Sequence, residues 1–203
     1  MRIGLDFDNT IAGYDSVFLG AARAQGLLDD AFCGGKRDVR DAIRLLPDGE
    51  MKWQQLQGKV YGSLMAHAEM IDGVAEFLTA CRDLHLPVVV VSHKTEFGHY
   101  DPDKVNLRDA ARSWMNENGF FSETGFGIPA ENIYFEDDRD KKIARICEIG
   151  CSHFVDDLEE VFLDPSFPED IEAILFAGTS EIAPDGHFQT CRTWCEISDA
   201  ILG

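Results

Sequence analysis

The chain has 203 residues, 45% of them hydrophobic, and its 18 Lys+Arg against 37 Asp+Glu give a formal net charge of −19. That length suits one domain, or one domain with a modest insertion, and the apolar fraction suffices for a sizeable core, which excludes wholesale disorder. A surface this acidic repels phosphate backbones and anionic lipid, so nucleic acid and membrane are not expected as partners.

The chain starts on a strand-like apolar segment, Ile3–Phe7, with no charged and then apolar leader ahead of it, so a cytoplasmic protein is expected. The longest apolar run, Leu86–Val91, is far below the ~20 residues needed to span a bilayer. Helical spacing then predicts three stretches, Tyr14–Leu28, Lys36–Leu46 and Glu50–His67, the last with Met51, Trp53, Leu56, Val60, Leu64 and Met65 recurring at helical spacing. A fourth helix, Val74–Leu84, leads into Pro87–Val91, a continuous β-branched run of the kind found in buried parallel strands. Next come a helix over Val105–Asn118 closed by Gly119, a strand at Ile133–Phe135, and a helix over Lys141–Ile149 closed by Gly150. Strands at His153–Val155, Ala173–Phe176 and Phe188–Cys191 and a terminal helix through Ile197–Leu202 complete the chain.

Strands alternating with helices predict an α/β, Rossmann-like, mainly parallel sheet covered by helices on both faces. The excess between the first and second strands is too long for a loop, and predicts a small helical insertion there, outside the sheet. The expected division is residues 1–13 and 71–203 for the sheet domain and 14–70 for the insertion. The six cysteines, Cys33, Cys81, Cys147, Cys151, Cys191 and Cys195, are expected as reduced buried thiols rather than as a four-thiolate zinc site, whose knuckle spacing they lack.

In open parallel sheets, ligands bind outside the carboxyl ends of the strands. Strand one delivers Asp6-Phe7-Asp8-Asn9-Thr10, strand two delivers Ser92-His93-Lys94, the helix after strand three opens with Lys141-Lys142, and strand four delivers Asp156-Asp157. Clustered carboxylates are tolerated around a hard cation such as Mg²⁺, a lysine and a hydroxyl suit a phosphoryl group, and a carboxylate can serve as nucleophile. Singly, each has a plainer explanation: Ser92 as a turn residue, Asp156-Asp157 as the start of a helix, either lysine as a surface charge. Their joint arrangement favours the functional reading.

These motifs resemble those of the haloacid dehalogenase-like phosphohydrolases. The first motif, Asp-x-Asp-x-Thr after an apolar strand, matches Gly4–Ile11; the second matches Val88–Val91 with Ser92; the third is the helix-opening lysine; the fourth matches Phe154–Asp157. The resemblance implies Asp6 as nucleophile and Asp8 as general acid and base. It implies Thr10 orienting Asp8, and Ser92, Asn9, Thr10 and one lysine around the phosphate. It implies Mg²⁺ held by Asp6, Asp8 through its main-chain carbonyl, Asp156 and Asp157. Lys141 and Lys142 point about 100° apart on a helix, and the family's usual register, counted back from Gly150 and the Asp156 strand, favours Lys142 over Lys141. His93 and Lys94 are candidates for a substrate-contacting loop. The second acid of the first motif implies a phosphatase or phosphotransferase rather than a dehalogenase. The resemblance also makes the insertion a small helical cap between the first and second strands, and a capped site implies a small phosphorylated metabolite as substrate. Two other readings stand beside it, a receiver-like protein and a non-catalytic binder of a phosphorylated ligand.

Overall fold

The run Val88–Val91 has no polar face to offer solvent, so it is stable only with packing on both sides, and its position governs the sheet. The computed structural model describes residues 1–178 and 186–203. In chain order the elements are β1 (Ile3–Leu5), β2 (Ala12–Gly13), α1 (Asp15–Ala24), α2 (Lys36–Arg44), α3 (Gly49–Tyr61), β3 (Glu69–Met70), α4 (Val74–Asp83), β4 (Val88–His93) and α5 (Leu107–Glu117). They continue with β5 (Ile133–Glu136), α6 (Arg139–Ile149), β6 (His153–Asp156), α7 (Glu159–Phe162), β7 (Glu172–Phe176), β8 (Gln189–Cys191) and α8 (Trp194–Leu202).

Six strands form one sheet in the order β5-β4-β1-β6-β7-β8, every pairing parallel. Strand β1 lies at its centre, with Leu5 opposite Val90 of β4 on one side and Val155 of β6 on the other. The chain therefore builds outward from β1 in both directions, and β1 marks the switch point where such sheets open a crevice at their carboxyl edge. All of Val88 to Ser92 is buried. Val89 and Val91 pack with Ile146 of α6, Cys151, Phe154 and Ile171, while Phe77 of α4 meets Trp194 of α8 at 5.1 Å between ring centroids. Gly4 is required by that packing: a Cβ there would lie 2.5 Å from the Phe154 ring and 2.8 Å from Cys151 Sγ.

The chain divides into two compact units, Met1–Ala12 with Met70–Lys94 and Asn118–Gly203, and Gly13–Glu69 with Thr95–Glu117. The second unit thus includes a stretch, 95–117, that the sequence reading assigns to the sheet domain. Long-range contacts explain the difference. Trp114 Nε1 donates to Ala68 O at 2.8 Å, and Gly98 approaches Gly58 so closely that a Cβ on Gly98 would lie 2.6 Å from the Gly58 Cα. Aromatic packing joins the aliphatic core of this unit, with Phe18 stacked on Trp53 at 4.9 Å and Tyr14 donating its hydroxyl to Met65 Sδ at 3.3 Å.

The helix expected over Glu50–His67 is interrupted: α3 ends at Tyr61, Gly62 leaves helical geometry (φ −104°, ψ −103°), and Met65–His67 form a separate 3-10 turn. Strands β2 and β3, a separate two-stranded sheet, have no counterpart in the expected elements. All six cysteines are free thiols, and only Cys81, Cys151 and Cys191 are buried; Cys33, Cys147 and Cys195 are exposed. No helix among the described residues is long and apolar enough to cross a membrane.

Candidate active site

The sheet register brings the strand ends together. Asp6 follows β1 directly and its N–H still donates to Val155 O at 2.8 Å, so the residue is held as a continuation of the ladder. Ser92, near the end of β4, and Asp156, the last residue of β6, flank it. Ser92 Oγ donates to Asp6 Oδ1 at 2.9 Å. Lys142 Nζ donates to the same Asp6 Oδ1 and to Asp156 Oδ2, both at 2.6 Å. Asp156 Oδ1 accepts from the Leu158 N–H at 3.1 Å, which fixes the rotation of that carboxylate. Asp6, Ser92, Lys142 and Asp156 are all buried.

Lys142 reaches this place because α6 starts in a defined way. Asp138 is its N-cap and accepts from the Lys141 N–H at 2.8 Å, while the Lys142 N–H donates to Asp138 O at 3.1 Å. One residue earlier on the helix, Lys141 turns outward, exposed and paired with Asp137 at 3.0 Å and Asp138 at 3.5 Å. Lys142 is thus the lysine within reach of Asp6.

The electrostatics follow from burial. Desolvation is the largest influence on Asp156 and pushes its carboxyl up, to about 7, with the Asp6 carboxylate adding to the rise and Lys142 opposing it. Burial also works against the Lys142 ammonium, yet Asp156 and then Asp6 outweigh it and hold the lysine above its ordinary range. Oxygens of Asp6, Asp156 and Asp157 lie within 4.8 Å of one another. With Asp8, this gives four carboxylates against the two buried ammoniums of Lys142 and Lys94, a formal charge of −2 at a site made of hard oxygen donors. A divalent cation fits that donor set and that charge, whereas an anion alone does not.

The turn after β1 places Asp8. Phe7 O accepts the N–H groups of Ile11 and Ala12, each at 3.0 Å, Asn9 takes a left-handed backbone (φ 62°) with its N–H donating to Ala12 O at 2.8 Å, and Trp194 Nε1 donates to Thr10 O at 3.0 Å. Thr10 is completely buried and its Oγ1 has no hydrogen-bond partner among the described residues, so the expected orientation of Asp8 by Thr10 is not what the structure contains. Lys94 contacts Asp8 instead, with Nζ 3.0 Å from Oδ1 and 2.8 Å from Oδ2. Its ammonium is also 5.6 Å from the centroid of the Phe7 ring. His93, between two buried residues, is exposed and stands opposite Glu136 of β5. The period-two alternation Ser92, His93, Lys94 carried the signal for this: residues i and i+2 of a strand share a face, so Lys94 belongs with Ser92.

No protein-family model matches the chain, and no curated protein matches it. Solved structures do. A haloacid dehalogenase-like hydrolase from Streptococcus pneumoniae aligns with a TM-score of 0.62 at 12% identity, over 98% of this chain and 97% of its own. A hydrolase of the same class from Deinococcus radiodurans, with bound phosphate and sodium, aligns at 0.61 and 14% identity, over 98% and 94%. A phosphoserine phosphohydrolase-like protein from Francisella tularensis aligns at 0.59 and 12% identity, over 98% and 99%. The fold of this chain, a parallel sheet ordered outward from β1, is the fold of the haloacid dehalogenase-like hydrolases.

Proposed function

We propose that the protein is a Mg²⁺-dependent phosphatase of small phosphomonoesters that works through an aspartyl-phosphate on Asp6. The observation that carries this reading is the set of contacts on the Asp6 carboxylate: buried, fixed at Oδ1 by Ser92 and Lys142, and clustered with Asp156 and Asp157. The phosphate bound in the Deinococcus structure and the phosphohydrolase likeness of the Francisella protein agree with it.

Mg²⁺ would be held by Asp6, Asp156, Asp157 and the Asp8 main-chain carbonyl, and when bound it neutralises carboxylate charge and polarises the phosphoryl group. Ser92 Oγ–H and Lys142 Nζ–H, which converge on one side of Asp6, are donors placed to bind phosphoryl oxygens as negative charge spreads onto them. An Asp6 carboxylate oxygen bonds to phosphorus while the bond from phosphorus to the ester oxygen breaks, and the Asp8 carboxyl gives its proton to that leaving oxygen. In the second half, a water oxygen bonds to phosphorus, Asp8 takes the water proton, and the bond between Asp6 and phosphorus breaks. Phosphate leaves and Asp6 is regenerated.

The test is phosphate release from a panel of phosphorylated sugars, polyols, nucleotides and amino acids, with wild type and Asp6→Asn, in Mg²⁺ and in chelator. Release from at least one substrate is expected, lost in chelator and reduced by about 100-fold or more in Asp6→Asn. Mg²⁺-dependent release that survives the substitution would sink the mechanism. Added alcohols in the same assay distinguish transfer to water from transfer to another acceptor.

A further inference from the structure

We propose that Lys94 is the positioning residue of Asp8, holding the acid/base carboxylate in place for both halves of the reaction; this rests on the phosphatase reading above. The residue expected by resemblance to orient Asp8, Thr10, presents a buried hydroxyl with no hydrogen-bond partner among the described residues. Lys94 instead contacts both oxygens of the Asp8 carboxylate, at 3.0 and 2.8 Å. One ammonium lying against both oxygens holds the carboxylate in position by charge as well as by hydrogen bonding, which a hydroxyl cannot do.

The surroundings of Lys94 make that hold rigid. Its side chain is 2% exposed, and its N–H donates to Glu136 O at 2.9 Å, carrying the β4–β5 ladder one residue beyond β4. The lysine therefore projects from an extended backbone on the same face as Ser92, with its ammonium over the Phe7 ring. Both buried lysines contact the acid cluster: Lys142 contacts Asp6 and Asp156, and Lys94 contacts Asp8. Lys94 is too enclosed, and too fully engaged with Asp8, to be a loop contact for the distal part of a substrate.

The chemical consequence is specific. Asp8 matters most where the leaving oxygen needs a proton, as in an alkyl phosphate, and least where the leaving group departs readily as an anion, as in 4-nitrophenyl phosphate. A residue that acts through Asp8 inherits that selectivity, whereas a residue that binds phosphate, or only supports the fold, affects both substrates alike. Formation of the phosphoryl-enzyme should therefore be slowed by Lys94→Met much more for the alkyl than for the aryl ester.

The experiment measures kcat and KM in Mg²⁺ for the best alkyl phosphate of the panel and for 4-nitrophenyl phosphate, using wild type, Lys94→Met, Lys94→Arg, Asp8→Asn and the double variant Asp8→Asn with Lys94→Met. Single-turnover rates report phosphoryl-enzyme formation. The expected result is a loss of at least about tenfold in the single-turnover rate of phosphoryl-enzyme formation on the alkyl ester with Lys94→Met and of under about threefold on the aryl ester, while the second half, common to both esters, slows equally for the two. Lys94→Arg should recover part of the alkyl loss. The double variant should be no slower than Asp8→Asn alone, because both changes remove one function.

Equal losses on the two esters in the single-turnover rate of phosphoryl-enzyme formation, or additive losses in the double variant, would overturn the proposal while leaving the phosphatase reading intact. Should Lys94→Met not fold, the double variant removes the unpaired carboxylate, and the ratio of alkyl to aryl rates in Lys94→Arg decides: a ratio unchanged from wild type, with both rates reduced, overturns the proposal. Wild-type activity that survives Asp6→Asn, or its absence across the whole panel, would overturn the phosphatase reading and this proposal with it.

Discussion

Lys142 is a buried ammonium that satisfies two buried carboxylates at once, and its removal shows what the cluster costs the fold. Breaking a buried pair by deleting one partner typically costs about 3–5 kcal/mol, since the remaining charge has lost its compensation. In Lys142→Met the remaining charges are Asp6 and Asp156, and Asp156 already has its carboxyl pushed up to about 7 by burial first and Asp6 second. Without the opposing lysine it rises further. A carboxyl raised in the folded state above its unfolded value takes up a proton on folding, so its ionisation costs stability as pH increases through the folded value. Lys142→Met should therefore be less destabilising at pH 5.5, where Asp156 is protonated with or without the lysine, than at pH 8, where wild-type Asp156 is ionised beside Lys142 and the variant must either keep its proton or bear an uncompensated charge. Urea titrations in chelator at the two pH values measure this. A cost that is the same at both would mean that the acid cluster relaxes apart rather than protonating.

At the level of elements, α6 links a helix cap to a reacting group. Asp138 satisfies the Lys141 N–H, and the next residue delivers the ammonium to Asp6 and Asp156. Asp138→Ala should cost about 0.5–2 kcal/mol, as lost caps do, and should also lower phosphatase kcat because the first turn frays where Lys142 stands. Asp138→Asn keeps the acceptor and should retain both properties, since the exposed Asp138–Lys141 ion pair contributes little. Thermal melts and kcat for the two variants check this, and an alanine variant with an unchanged kcat would uncouple the cap from the site. The same helix illustrates what the sequence could disclose. Gly150, Asp138 and the apolar spacing are local signals, as are the β-branched run of β4 and the acids closing β1 and β6, so the strands and the members of the site could be placed by their neighbours in the chain. Gly62 was a stop signal too, but the apolar spacing through Met65 reports which face is buried and is blind to a broken backbone. The pairing of Asp8 with Lys94 joins residues 86 apart, and the grouping of 95–117 with 13–69 depends on contacts such as Gly98 with Gly58; neither leaves a local pattern.

For the whole molecule, the division into units changes the meaning of the net charge. The unit comprising Gly13–Glu69 and Thr95–Glu117 carries ten of the 18 basic residues and 13 of the 37 acids, a net −3, so the sheet unit carries −16. Self-repulsion of that size opposes compactness in the unit that holds the aspartate cluster. The surface pairs that offset it are weak: in the sheet unit, Lys141 with Asp137, Arg82 with Asp83 and Arg145 with Glu148 contribute about 0–1 kcal/mol each, and the buried lysines are already committed to the aspartate cluster. Salt acts on the two terms differently. Between about 10 and 150 mM the screening length falls from roughly 30 to 8 Å, which removes the many repulsions acting over long distances and spares contacts near 3 Å. Stability should rise, by about 1–2 kcal/mol, and Tm by roughly 2–8 °C for a chain of this length. The melts belong in chelator, so that occupancy of the carboxylate cluster does not change with the salt, and Asp156→Asn measured alongside should show the same slope because it removes only one of 37 acids. A Tm that falls with salt would mean that attractive pairs outweigh the acidic excess. A rise confined to wild type would locate the repulsion in the aspartate cluster itself, where Lys142 and Lys94 leave a charge of −2 for a divalent cation to neutralise.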